Sequence, residues 1–213
     1  MNIVLLGPPG AGKGTQAQFI VKNYNYFQLS TGDLLRKEIN KKTDLGKKIE
    51  SLISKGKFVP DDLVEKILKN TIDSLDNKEK IIFDGYPRNI NQAHNLENIM
   101  KELGQKIDAV IYLNVNREVI HMRIMGRMTC LKCNVTLNEF FNKEEINNHE
   151  CGKKNLRRRD DDQEEVIMKR FDTYINETKP VLNFYTNHGN FYELDGTLKM
   201  EEISNKIANI LNG

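Results

Sequence analysis

"GPPGAGKGT", residues 7–15, comes directly after the apolar run Ile3-Val4-Leu5-Leu6. The first run reads as a buried strand, and the stretch behind it is almost free of bulky side chains. It has the frame Gly, four residues, Gly-Lys, with Thr15 closing it. Glycines let a backbone wrap round a phosphate and turn its N–H groups inward. A helix starting near Lys13 adds the positive end of its dipole at the same place. In this reading Gly10, Ala11, Gly12, Lys13, Gly14 and Thr15 hold the phosphates of a nucleoside triphosphate. Lys13 reaches the β- and γ-phosphates and follows the phosphoryl group as it moves. The alternative is an ordinary Gly/Pro turn after a strand, but strand, loop, lysine and helix start in this order are the context the motif requires.

Outward from the loop, further short apolar runs lie at Ile81 to Phe83, Ala109 to Leu113 and Phe191 to Leu194, with a strand-like Phe27-Gln28-Leu29. Helix-compatible amphipathic stretches span 13–24, 61–75, 90–102, 117–126, 163–178 and 199–211. Alternation of this kind predicts an α/β fold with a parallel five-stranded sheet flanked by helices, of the P-loop NTPase type. Two segments break the rhythm. Residues 30–59 are helical and lysine-rich, and 127–160 hold every cysteine with little regular periodicity. The expected organisation is a core of 1–29, 60–126 and 161–213 carrying these two insertions.

Composition narrows the function. Lys and Arg number 32 against 30 Asp and Glu, a net charge of +2, which lacks the basic bias of a duplex nucleic-acid binder. No apolar run approaches the about 20 residues of a membrane-crossing helix, and no signal peptide is expected. Three cysteines make an awkward disulfide framework, so a reducing, cytoplasmic setting is expected.

A second motif separates this chain from other phosphate-loop proteins. In "IIFDGYPR", residues 81–88, a strand ends in Asp84, placed to hold the water shell of Mg²⁺. Gly85 permits close approach, Pro87 stiffens the turn, and Arg88 is a permanently charged clamp for phosphate. "LSTGDLLR", residues 29–36, supplies Thr31, Asp33 and Arg36, although Ser30 or Thr31 can equally be a helix cap and Arg36 a solvated arginine.

Taken together, "GPPGAGKGTQ", "STGDLLR", "DGYPRNINQA", "MRIMGR" and "RRRDDDQEEVIMKR" resemble the adenylate kinase family, in its long-lid bacterial form, over nearly the whole chain. The resemblance implies reversible phosphoryl transfer from Mg·ATP to AMP, giving two ADP. It makes 30–59 the nucleoside-monophosphate segment and 127–160 the lid over ATP. It places Thr31, Arg36, Lys57, Phe58, Val59, Gly85, Tyr86, Pro87, Arg88 and Gln92 at AMP, with Gln92 on the adenine edge. Arg123, Arg127, Thr136, Leu137 and Leu198 fall at ATP, with Arg123 near the adenine and Arg127 on phosphate. Arg159 and Arg170 close on the phosphates, and Asp161 and Asp162 orient them. Lys13, Arg88, Arg127, Arg159 and Arg170 form the catalytic set, and Asp84 and Asp33 hold magnesium through water. A monomer without membrane or nucleic-acid partners is expected. For Arg123 and Arg127, pairing with Glu118 or solvent is the competing reading; Arg157 to Arg159 can equally be a solvated basic run, and the acids from Asp160 to Glu165 a helix start favoured by the dipole.

Three other functions compete. A kinase for another nucleoside monophosphate shares the loop and clamps, but Gln92 with Thr31 favours AMP. A regulatory GTPase needs an Asn-Lys-x-Asp motif, which is lacking. A nucleic-acid-binding zinc module is suggested by the cysteines beside Arg157, Arg158 and Arg159, against the near-neutral charge.

Cys130, Cys133 and Cys151 also have the look of a structural zinc site in the lid. The family's zinc-bearing form completes the set three residues after the third cysteine, and Lys154 stands there instead. His149 is the nearest substitute, followed by Glu150, Asp160 or a water. The opposing reading is three thiols packed as small buried groups.

Overall fold

A strand covered on both faces needs side chains that can all leave water, and the short apolar runs have them. In the computed structural model, which describes residues 1–159, 162–187 and 189–213, these runs form β1 (Ile3–Leu6), β2 (Phe27–Ser30), β3 (Ile81–Asp84), β4 (Ala109–Asn114) and β8 (Phe191–Asp195). The strands lie in the order β2-β3-β1-β4-β8, all parallel. The remaining strands, β5 (Arg127–Cys130), β6 (Thr136–Asn138) and β7 (Leu156–Arg157), make a separate antiparallel sheet in the order β6-β5-β7. The five-stranded parallel sheet flanked by helices is the predicted α/β class.

Successive residues of a strand face opposite sides, and β1 shows it. Val4 and Leu6 pack under α4 (Asp61–Asp73) and α5 (Ile90–Glu102), among Leu68, Ile72, Leu96 and Met100. Ile3 and Leu5 pack on the other side, against Ala17 and Ile20 of α1 (Lys13–Tyr24), Ile120 and Ile124 of α6 (Arg117–Met125) and Ile203 and Ile207 of α10 (Met200–Asn212). In register, Leu5 lies beside Asp84, and Asp84 beside Ser30. The carboxyl ends of β1, β2 and β3 therefore share one rim, where ligands of open α/β sheets bind.

Residues 31–53 form α2 (Thr31–Asn40) and α3 (Asp44–Ile53). Both start with an ordinary side-chain cap: Ser30 accepts from the Asp33 amide at 3.3 Å and Thr43 from the Gly46 amide at 3.0 Å. Two sequence expectations need correction. The 127–160 segment contains regular structure after all, the three-stranded sheet and the short α7 (Lys143–Asn147). Strands of two to four residues are too short to display a period. The helix expected over 163–178 is α8 (Glu164–Thr173) followed by a π-turn at Tyr174–Thr178, and α9 (Pro180–Thr186) follows. Pro180 has no N–H to give the preceding turn, and the ladder widens so that the Lys179 amide reaches the Tyr174 carbonyl at 2.8 Å. Among the described residues no helix is long and apolar enough to cross a membrane.

Candidate active site

The loop between β1 and α1 turns through backbone conformations that side chains resist. Gly10 has φ +82°, and a Cβ there would lie 2.7 Å from Ile124 Cγ1. Gly12 has φ +97°, and a Cβ there would meet nothing within 4 Å, so its backbone faces open space. Ala11 is buried, and Gly14 and Thr15 sit in the first turn of α1. Lys13 folds back over the loop, its Nζ donating to the carbonyls of Gly7 (2.8 Å) and Pro8 (3.0 Å). Burial brings its ammonium down to about 8 from an ordinary 10.5. Asp84 opposes that shift, while the charges of Arg88, Arg170 and Arg127 add to it.

Asp84 stands where β3 meets the loop, and a Cβ on Gly14 would be 3.7 Å from its Oδ2. Burial pushes its carboxyl up, while the Lys13 charge and a 2.9 Å bond from Gln28 Nε2 pull it down. A buried carboxylate at the phosphate loop, ringed by cations, fits a role in holding hydrated Mg²⁺. Asp33 lies close enough to raise Asp84 further. Its own carboxyl, half-buried, is held below the usual range: burial works upward, and the Arg36 guanidinium at 2.5 Å outweighs it.

A second set converges on the Gly85 carbonyl. Thr31 Oγ1 donates to it at 2.8 Å and Arg88 Nε at 2.7 Å. The Arg88 guanidinium lies 5.3 Å from the centre of the Phe58 ring. One cleft unites Lys13, Arg36, Lys57, Phe58, Val59, Gly85, Pro87, Arg88 and Arg170. It also draws in Tyr174 and Thr178 of the π-turn, which sequence reading missed. The Tyr86 side chain is buried in the core and does not line the cleft. Gln92 is also buried and does not line the cleft, its Oε1 accepting from the Arg88 amide at 2.8 Å and its Nε2 donating to Asp61 Oδ1 at 2.6 Å.

Arg123 Nη1 donates to the Ala11 carbonyl at 3.2 Å, which ties α6 to the phosphate loop. Arg127 pairs through two bonds with Asp162, Nε to Oδ2 at 2.9 Å and Nη2 to Oδ1. The Asp162 side chain is only 2% exposed, so this pair is fixed rather than solvated. Among the described residues neither Arg123 nor Arg127 pairs with Glu118, the competing reading. Arg159 Nε donates to Thr129 Oγ1 at 3.3 Å. Burial, then the charges of Arg127 and Arg36, pull Arg159 down to about 10, so it stands between the two arginine groups. Thr136 and Leu137 are half-buried on β6, and Leu198 packs on the core beside α10. Asp161 lies outside the described residues.

In the 127–160 segment, Cys130, Cys133, His149 and Cys151 bring one donor atom each within 4.8 Å of the others. Cys133 Sγ and His149 Nε2 are 3.5 Å apart. Lys154 and Glu150 are exposed and outside the cluster, and Asp160 lies outside the described residues. Burial opposes ionisation of Cys130, yet hydrogen bonds from the Cys133 backbone and His149 bring it to about 6. Three thiols and an imidazole at this spacing are a soft set of four donors, the number and type that structural zinc takes.

Comparison with known proteins adds a family. The family model described as adenylate kinase matches residues 5–190. An adenylate kinase of Pelagibacter ubique (strain HTCC1062) is 58% identical over 211 residues, covering 99% of either chain. Those of Fervidobacterium nodosum and Archaeoglobus fulgidus are 38% and 41% identical, covering 100% and 99% of this chain and 98% of each relative.

Proposed function

The chain belongs to the adenylate kinase family, and from that premise we propose how its own residues share the transfer of a phosphoryl group from ATP to AMP. The enzyme is a nucleoside monophosphate kinase that interconverts ATP and AMP with two ADP. The acceptor phosphate is already an ionised nucleophile, so no general base is needed. The obstacles are the repulsion of two polyanions and the charge on the group in transit. The observation that carries the assignment is the convergence of Arg88, Arg127 and Arg170 on Lys13, all three close enough to act on its buried ammonium. Arg159, within electrostatic reach of both Arg127 and Arg36, joins the donor and acceptor sides.

On this reading the phosphate loop, Arg123, Arg127, Thr136, Leu137 and Leu198 bind ATP. Thr31, Arg36, the Lys57–Val59 strip, Gly85 to Arg88 and Gln92 bind AMP, Tyr86 through its backbone. Arg159 and Arg170 serve both phosphates. Lys13 stays with the phosphoryl group, and fixed cations replace the water that neutralises it in solution. Magnesium travels with ATP in this family, and Asp84 with Asp33 would hold its water shell and so spread the charge of the β- and γ-phosphates. Residues 30–59 and 127–160 serve as the two segments that exclude water, on a core of 1–29, 60–126 and 161–213. Cys130, Cys133, His149 and Cys151 hold a structural zinc in the second of them, remote from the transferring group. The enzyme acts as a cytoplasmic monomer without nucleic-acid partners.

A coupled assay of ADP formation from ATP, with AMP, CMP, UMP and GMP offered in turn, tests the substrate assignment. AMP is the efficient acceptor. Turnover with another monophosphate equal to that with AMP refutes the adenine reading.

A further inference from the structure

Asp61, the first residue of α4, has no part in the phosphate machinery, yet three hydrogen bonds converge on its half-buried carboxylate. Asn89 Nδ2 donates to both oxygens, at 3.1 and 2.9 Å, and Gln92 Nε2 donates to Oδ1 at 2.6 Å. Asn89 is itself held, because its Oδ1 caps α5 by accepting from the Gln92 amide at 2.8 Å. The starts of α4 and α5 are thereby joined at the one side chain assigned to the base.

The consequence lies in the chemistry of an amide. Gln92 offers two N–H donors on one atom and two lone pairs on the other. Asp61 can only accept, and the backbone N–H of Arg88 can only donate. With Nε2 at Asp61 and Oε1 at the Arg88 amide, both contacts are satisfied. Turning the amide over would set oxygen against carboxylate and NH₂ against N–H, leaving buried groups unpaired. The orientation is locked, with one N–H and one lone pair remaining for a ligand.

A 6-aminopurine presents an N6–H donor beside the N1 acceptor, which such a pair matches. A 6-oxopurine presents an O6 acceptor beside an N1–H donor and mismatches it twice. We propose that Asp61 is a specificity-determining positioning residue: by locking the Gln92 amide it makes the acceptor site take 6-aminopurine monophosphates and reject 6-oxopurine ones. The proposal rests on the reading of Gln92 as the base-contacting residue.

Inosine monophosphate is the probe, since it differs from AMP only in the carbonyl at position 6 and the proton at N1. The measurement is kcat/KM for AMP and for inosine monophosphate at saturating Mg·ATP, with KM for ATP alongside, in wild type, Asp61→Ala, Asp61→Asn and Gln92→Ala. Asn at 61 can donate or accept, so at unchanged volume it removes Asp61's share of the lock and leaves only the Arg88 N–H to orient the amide; it decides the question if the Ala variant does not fold. Both Asp61 variants lower the AMP-to-inosine-monophosphate ratio at least about tenfold, through KM of the acceptor, with KM for ATP unchanged; a site built to pair a polar group rejects its mismatch by more than that. If both acceptors weaken together and the ratio holds, Asp61 only fastens α4 to α5 and the proposal is overturned. If that happens while Gln92→Ala still raises KM for AMP, the base reading stands and only the lock falls. An unchanged KM for AMP in Gln92→Ala overturns both.

Discussion

Lys13→Met keeps the bulk of the side chain and removes its charge, and the structure gives that exchange two opposite consequences. The unfolded chain holds this proton up to about pH 10.5, whereas burial lets the folded chain hold it only to about 8. A base whose folded value is depressed makes stability rise with pH, here between about 8 and 10.5, and burdens the folded state below that window. The burden at neutral pH is about 3 kcal/mol. Methionine lifts it, and leaves the Gly7 and Pro8 carbonyls without their lysine donor, at about 1 kcal/mol each. The nucleotide-free variant is therefore stabilised by about 1 kcal/mol, a rise of about 2–4 °C in Tm for a chain of this size. Catalysis goes the other way. A preorganised donor of this kind contributes about 3–4 kcal/mol to the barrier, so turnover falls about 10²- to 10³-fold. Thermal unfolding at pH 7 without nucleotide and the coupled ADP assay read the two effects in one preparation. In the wild type, kcat/KM for ATP also declines as pH rises through about 8, as the free enzyme loses its cation, and the variant lacks that limb. Turnover near wild type refutes the role given to Lys13. A variant destabilised by several kcal/mol refutes the account of a buried cation held against its desolvation.

Gln92→Ala raises KM for AMP at least about tenfold and leaves KM for ATP unchanged, because of the two nucleotides the amide serves only the acceptor; equal effects on both nucleotides move Gln92 out of that site. Protein purified without chelator carries one zinc by a metal-specific measurement, and its absence ends the zinc assignment. His149→Ala loses that zinc or holds it more weakly and lowers the temperature at which the 127–160 segment melts, with KM for AMP unchanged; full retention removes His149 from the ligands.

The phosphate loop was legible because everything it needs is contiguous. Strand, glycines, Lys13 and helix start follow one another within two dozen residues, and their order is their geometry. Asp84 and Arg88 share one such stretch. The plain reading of Ser30 as a cap was also correct, and it leaves Thr31 free to reach the Gly85 carbonyl. The small sheet at 127–157 was not legible, since pairing between strands of two to four residues is fixed by their partners and not by a period. The π-turn was hidden in an unbroken helical pattern whose end depends on how Pro180 is accommodated. His149 stood among several candidate ligands, and only the fold of the turn brings it to the thiols while leaving Lys154 outside.

Asp61 is the sharpest case. Directly after Pro60 and beside Asp62, it reads as one more acid at a helix start, favoured there by the dipole. Nothing within its own helix distinguishes it from Asp62, which is exposed. The difference comes from α4 packing against α5, which sets Asp61 opposite Asn89 and Gln92. Residues that touch a ligand through a loop or a helix start are specified by spacing along the chain. Residues that hold another side chain still are specified by where two helices meet, and a sequence with no partner sequence beside it carries no mark of that meeting.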